Sequence, residues 1–151
     1  MQIQPINPLT HPDFQSLLKI STDEGYSFTQ KLLDEYKSGV NRFDSSGAAL
    51  LGVSADQQLI AIGGAHPDTY VNQPQIGRIR HVYVLPDYRR TGVGKLIMEA
   101  LIDHARAHFE ILTLRTPTAH GDAFYTALGF SREVRFAEST HWLALKGESL
   151  T

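Results

Sequence analysis

Along the chain, stretches in which apolar residues recur every three or four positions alternate with short runs in which they stand side by side. Phe14, Leu17 and Leu18 have helical spacing within 12–20. Phe28, Leu32, Leu33 and Tyr36 predict a second helix, which Gly39 can close. Ser21 with Glu24, and Ser27 with Gln30, each have the spacing of a capping box, in which side chain and backbone satisfy each other's free groups. A short strand is expected to begin at Ile3. The apolar runs 48–53 and 59–64 flank the polar stretch Ser54-Ala55-Asp56-Gln57-Gln58 and predict a β-hairpin. Gly63 to Gly77 is rich in breakers and reads as a loop, and Arg78 to Leu85 as a strand stopped by Pro86. From Val93 onward, Leu96, Ile97, Ala100, Leu101 and Ala105 draw a one-sided helical stripe. A strand at 111–115 follows, then a helix carrying Ala123, Phe124, Ala127 and Leu128 and ending at Gly129. Strands at 134–136 and 141–145 complete the pattern. The order β-α-α-β-β-β-α-β-α-β-β predicts a mixed α/β fold, a central mixed twisted sheet flanked by helices, in one domain spanning 1–151.

Composition narrows the chemistry. A chain of 151 residues buries roughly two-thirds of its unfolded surface, enough for a core without metals or disulfides. Cysteine is absent, which excludes a disulfide framework, a thiol nucleophile and a cysteine–zinc site. A net charge of -2 argues against a nucleic-acid partner. Met1 to Pro5 carry no cationic segment followed by an apolar stretch, and no apolar run approaches the ~20 residues of a membrane helix. A cytoplasmic protein without a membrane partner is expected.

The informative segment runs from Val82 to Lys95: a strand ends, a turn with Gly92 and Gly94 follows, and the amphipathic helix starts. Amides at a helix N-terminus lack intrahelical partners and sit at the positive end of the dipole, so they attract phosphate. A nucleotide P-loop would need glycine where Arg89 stands, and Ser or Thr where Leu96 stands. A dinucleotide fingerprint would need a third glycine at Ile97. What remains is Arg-x-x-Gly-x-Gly between an apolar strand and a helix. With the preceding Val-x-Val-x-Pro, and with Phe124-Tyr125 and Gly129-Phe130 about thirty residues downstream, the chain resembles the GNAT superfamily of acyl-CoA N-acetyltransferases over almost its whole length.

That resemblance implies a fold, a cosubstrate and a site. Acetyl-CoA would be held by the amides of Arg89, Arg90, Thr91, Gly92, Val93, Gly94 and Lys95 at its pyrophosphate, and by the backbone of Val82, Tyr83 and Val84 along its pantetheine, with no metal. Acetyl transfer to a primary amine requires a neutral nucleophile, and an amine of pKa ~10.4 is neutral only about once in a few thousand molecules at pH 7. The oxyanion can be met by a backbone N–H, for which the resemblance points to Val82 or its neighbour. Tyr125 is the candidate general acid for the departing thiolate, since a phenol stays protonated at neutral pH. Many relatives carry a glutamate as base six residues before the position of Val84. Here that residue is Arg78, which cannot act as a base, and Thr118 stands where the family often has asparagine.

By period-two alternation Arg78 and Arg80 share a strand face with Val82 and Val84, while His81 points away unless a bulge intervenes. Two cations beside the thioester would favour an acceptor with an anionic group near its amine, such as an amino acid. The plainer reading makes both arginines surface charges. His104 and His108 stand at i and i+4, yet no carboxylate completes a metal site. His120 falls near the start of the Tyr125 helix, and Trp142 is expected to pack in the last hairpin. Tyr26 and Phe28 suit either an acceptor pocket or the core. A non-catalytic acyl-CoA-binding regulatory module competes with the enzyme reading; Tyr125 weighs against it, because binding alone needs no placed acid. The acceptor, small molecule or peptide, is not named by the sequence, and a homodimer is left open.

Overall fold

The computed structural model describes residues 1–145. Strand β1 (Gln2–Pro5) is followed by helices α1 (Phe14–Asp23) and α2 (Phe28–Ser38). Strands β2 (Ala49–Ala55), β3 (Gln58–Pro67) and β4 (Ile76–Val84) then run consecutively. A 3-10 turn (Pro86–Tyr88) leads into α3 (Val93–Arg106), β5 (Ile111–Leu114), α4 (Ala119–Ala127), β6 (Ser131–Arg132) and β7 (His141–Ala144). The strands form one seven-stranded sheet in the order β1-β2-β3-β4-β5-β7-β6. All neighbours are antiparallel except β4 and β5, whose parallel pairing is the crossover made by α3.

The local reasons follow from the residues. Asp56 and Gln57 both take positive φ (51° and 64°), the geometry a two-residue hairpin turn needs to match strand twist. Gly39 closes α2 at φ 83°. The stripe on α3 is buried as its period demands, with Ile97, Met98 and Leu101 fully inaccessible against the sheet. Phe14, Leu17, Leu32 and Leu33 bury the inner faces of α1 and α2 in the same core.

Four local expectations are corrected. Ser21 caps nothing: it lies within α1, fully buried, bonded to the Leu18 carbonyl at 2.9 Å and to Thr29 Oγ1 at 2.5 Å. Ser27 does stand at the N-cap of α2, but its side chain makes no capping bond, and Gln30 turns to Asp34 at 2.9 Å. The segment 63–77 is mostly strand, and only 68–75 connects β3 to β4. There the Asp68 carboxylate replaces ladder bonds by accepting from the amides of Tyr70 (2.8 Å) and Val71 (3.1 Å). No strand forms at 134–136. Glu133 to Ser139 makes local turns instead, with Arg135 stacked on the Trp142 ring at 4.3 Å and Val134 left exposed.

Candidate functional site

β4 and β5 pair only from Ile76 to Arg78 against Ile111 to Thr113. Beyond Arg78 the two strands part, so the remainder of β4, including Val82, Tyr83 and Val84, presents an edge without a strand partner on the β5 side. Unpaired edge groups are a template for an extended ligand. The open edge leads directly into the glycine loop.

In that loop Arg90 and Gly92 take left-handed φ of 64° and 89°, with an extended Arg89 before them. The first backbone bond of α3 is Leu96 N–H to the Gly92 carbonyl at 3.0 Å. The amides from Arg90 to Lys95 therefore have no backbone acceptor among the described residues. Alternating left-handed residues at a helix N-terminus make a concave nest of N–H groups suited to an anion. The two glycines serve different ends. Gly92 has open space around it and is needed for its dihedral. Gly94 is needed for packing, since a Cβ there would lie 3.3 Å from the Phe124 ring on α4.

The Arg89 side chain has a use the sequence did not announce. Its Nη1 and Nη2 donate to Glu24 Oε2 and Oε1, each at 2.8 Å, and its Nε donates to the Val84 carbonyl at 3.0 Å. Glu24 also accepts from the Tyr83 hydroxyl. The Arg89 bond holds the Glu24 carboxyl below its ordinary pKa, and burial with the Glu24 bond pushes the Tyr83 phenol well above its own.

Tyr125 sits half-buried on α4, with its ring 4.9 Å from Phe124, 5.8 Å from Phe130 and 6.3 Å from His141. Burial pushes its phenol up to about 12, so it stays protonated at neutral pH. Two features hold the helix. Thr118 accepts the Gly121 amide at 2.9 Å, the N-cap role that asparagine fills equally well. Asp122 and the buried His141 bond at 2.8 Å, tying the first turn of α4 to β7.

On β4 the face assignment is corrected. Gly64 pairs with Arg80 but Ile62 pairs with Tyr83, so β4 carries one extra residue, and His81 takes φ 62°. Such a bulge inverts the alternation beyond it. His81 and Tyr83 both meet the Phe28 ring, at 6.3 and 5.9 Å, while Val84 faces Gly94. Arg78 and Arg80 thus share the face of His81 and Tyr83, opposite Val82 and Val84. Arg78 is buried, its Nη2 donating to the Glu138 carbonyl at 2.6 Å, its Nη1 3.6 Å from Asp68 Oδ2, and its guanidinium 4.7 Å over the Tyr70 ring. Its Nε and Nη1 find no hydrogen-bond partner among the described residues. Arg80 is half-buried and has no ion-pair partner among the described residues. Burial first, and the Arg80 charge second, press His81 down to about 3, so its imidazole is neutral at pH 7.

Tyr26 and Phe28 join this wall, 5.5 Å apart and both near Tyr83. His104 reaches the Gly47 carbonyl at 3.1 Å, away from the cleft, and His120 is exposed at the start of α4. Glu24, Asp68 and the Asp122–His141 pair were missed in the sequence. Each acts on a residue far along the chain, and no local pattern marks such partners.

A family model described as Acetyltransferase (GNAT) family matches residues 12–130. No curated protein sequence gives a significant match. Among solved structures, one from Exiguobacterium sp. 255-15, assigned to the acetyltransferases, is 30% identical with a TM-score of 0.83, covering 95% of this chain and 92% of its own. The ribosomal-protein-S18-alanine N-acetyltransferase of Escherichia coli is 17% identical at TM-score 0.69, with 99% and 98% covered. Glucosamine-6-phosphate N-acetyltransferase of Arabidopsis thaliana is 16% identical at TM-score 0.63, with 89% and 93% covered.

Proposed function

This chain belongs to the acetyltransferase (GNAT) family, and we propose that within it the enzyme acetylates the primary amine of a small acceptor bearing a carboxylate or similar anion. The nest of unbonded amides from Arg90 to Lys95 carries the cosubstrate assignment: its N–H groups fit the pyrophosphate of acetyl-CoA, and the open edge at Val82 to Val84 fits the pantetheine. Acetyl-CoA supplies an activated thioester. The acceptor nitrogen loses a proton to water and forms a bond to the carbonyl carbon, and the C–S bond breaks. A backbone N–H of the open β4 edge steadies the charge developing on the carbonyl oxygen. The Tyr125 hydroxyl gives its proton to the departing sulfur and regains one from water. The amine takes the acetyl group directly from the thioester, and no thiol acyl-enzyme intervenes, since the sequence has no cysteine.

For the acceptor, the supporting observation is the cation of Arg80, unpaired among the described residues, beside Arg78, whose Nε and Nη1 lack hydrogen-bond partners there. Asp68 offsets part of the Arg78 charge, so Arg80 is the stronger attraction for an anion. The test measures thiol release from acetyl-CoA with amino acids, acidic amino-sugars and polyamines side by side. Anionic amines are expected to lead, and Arg80→Ala to erase their advantage. A polyamine preference that Arg80→Ala leaves intact overturns the acceptor assignment, and no turnover with any amine overturns the activity itself.

A further inference from the structure

Glu24 is the C-cap residue of α1 and begins a tight corner. The Gly25 amide donates to the Thr22 carbonyl at 2.9 Å, and the Tyr26 amide donates to the Ser21 carbonyl at 3.0 Å. This pair of bonds, with Gly25 at φ 97°, is a Schellman closure. It leaves Glu24 and Tyr26 flanking one fixed glycine. Glu24 turns towards the glycine loop and grips Arg89 through both carboxylate oxygens, while Tyr26 packs on Tyr83 with ring centroids 6.0 Å apart. Arg89 immediately precedes the nest, is bonded to the end of β4, and lies 5.5 Å over the Tyr83 ring. One bidentate pair therefore joins the glycine loop, the open strand and the aromatic corner.

We infer that Glu24 is a positioning residue which, through Arg89, transmits the ordering of the loaded glycine loop to the corner Gly25–Phe28 that walls the acceptor side of the cleft. The inference rests on the cosubstrate site described above. Three observations carry it. A carboxylate beside an anion-binding nest repels phosphate unless it is neutralised, and Arg89 neutralises it in a planar two-bond fork. Three of the five N–H donors of Arg89 are engaged inside the protein, which ties its side chain to Glu24 and to the end of β4. Tyr83 lends its hydroxyl to the same carboxylate while its ring meets both Tyr26 and Phe28. The acceptor wall is therefore firm only when the loop is.

Amide hydrogen exchange on the whole protein, with and without saturating CoA, tests this without an acceptor. The Leu96 amide, bonded to Gly92, reports on the loop, and the Gly25 and Tyr26 amides report on the corner. In the parent, CoA is expected to slow both, the corner by about 10-fold, within the usual range of coupling between sites. In Glu24→Gln, which loses the charge that grips Arg89, Leu96 still slows on loading but the corner does not. Tyr83→Phe, which leaves the carboxylate–guanidinium pair, keeps most of the corner response. A parent whose corner ignores CoA while Leu96 slows overturns the inference, as does a Glu24→Gln variant with the full corner response. If Leu96 in the parent does not respond either, the cosubstrate site has failed and the inference falls with it.

Discussion

From Ile76 to Arg78 strand β4 is bonded on both edges and carries a buried ion pair, whereas from His81 to Val84 its β5 edge is open and its neighbours are aromatic rings and the glycine loop. The bulge at His81 divides the two halves and changes which face each side chain takes. In the open half it is the backbone that is left without a strand partner on the β5 side. In the paired half the Arg78 side chain is buried, and Asp68, Thr113 and Glu138 come from other segments to surround it. One strand thus offers an open backbone edge in one half and buried, charged side chains in the other.

The largest effect expected from breaking the open half is on catalysis. Tyr125→Phe keeps the ring contacts with Phe124, Phe130 and His141 and removes only the hydroxyl. Its turnover should fall by about 100-fold, the lower range for a general acid, with acetyl-CoA affinity unchanged. Pre-steady-state measurement of the chemical step makes the comparison, and an unchanged rate would reduce Tyr125 to packing.

Next comes the glycine that shapes the nest. Gly92→Val forces a β-branched residue to φ 89°, at a strain of about 1–3 kcal/mol. Because the space around Gly92 is open, the fold should persist while CoA binding weakens by about 10-fold or more. Calorimetry reads the affinity and thermal melting the fold; parent affinity in a folded variant would remove the nest from the site.

The smallest effect sharpens the bulge that divides the two halves. His81 gains a proton near 6.5 in the unfolded chain but only at about 3 in the fold. Its contribution to stability is therefore complete above pH 6.5 and is lost as pH falls through that window, by about 1.4 kcal/mol per pH unit. His81→Asn suits the left-handed backbone and cannot titrate there. Urea unfolding at pH 6.5 and 5.5 should show a shallower loss in the variant than in the parent. Equal slopes would mean that His81 is hydrated in the fold.

Much of this protein was legible in residue order alone. The element sequence, the α3 stripe, the hairpin at Asp56-Gln57 and the loop from Arg89 to Lys95 depend on neighbours within a few positions, where propensity, periodicity and glycine dihedrals act. The unbonded amides of the nest follow from a helix starting after Gly92, so they too were decided locally. Other features were not local. Whether Arg78 and Arg80 share a face with Val84 turned on an extra residue in β4, which only its pairing with β3 defines. Whether Arg89 meets a phosphate or a carboxylate turned on the docking of α1, which brings Glu24 against it. That Arg78 is buried with Asp68 and Glu138, instead of free at the surface, turned on the β3–β4 connection and the turn before β7 closing over it. Short-range backbone preferences are written in each residue and its neighbours, while the partner of a long charged side chain is set by whichever distant segment packing delivers.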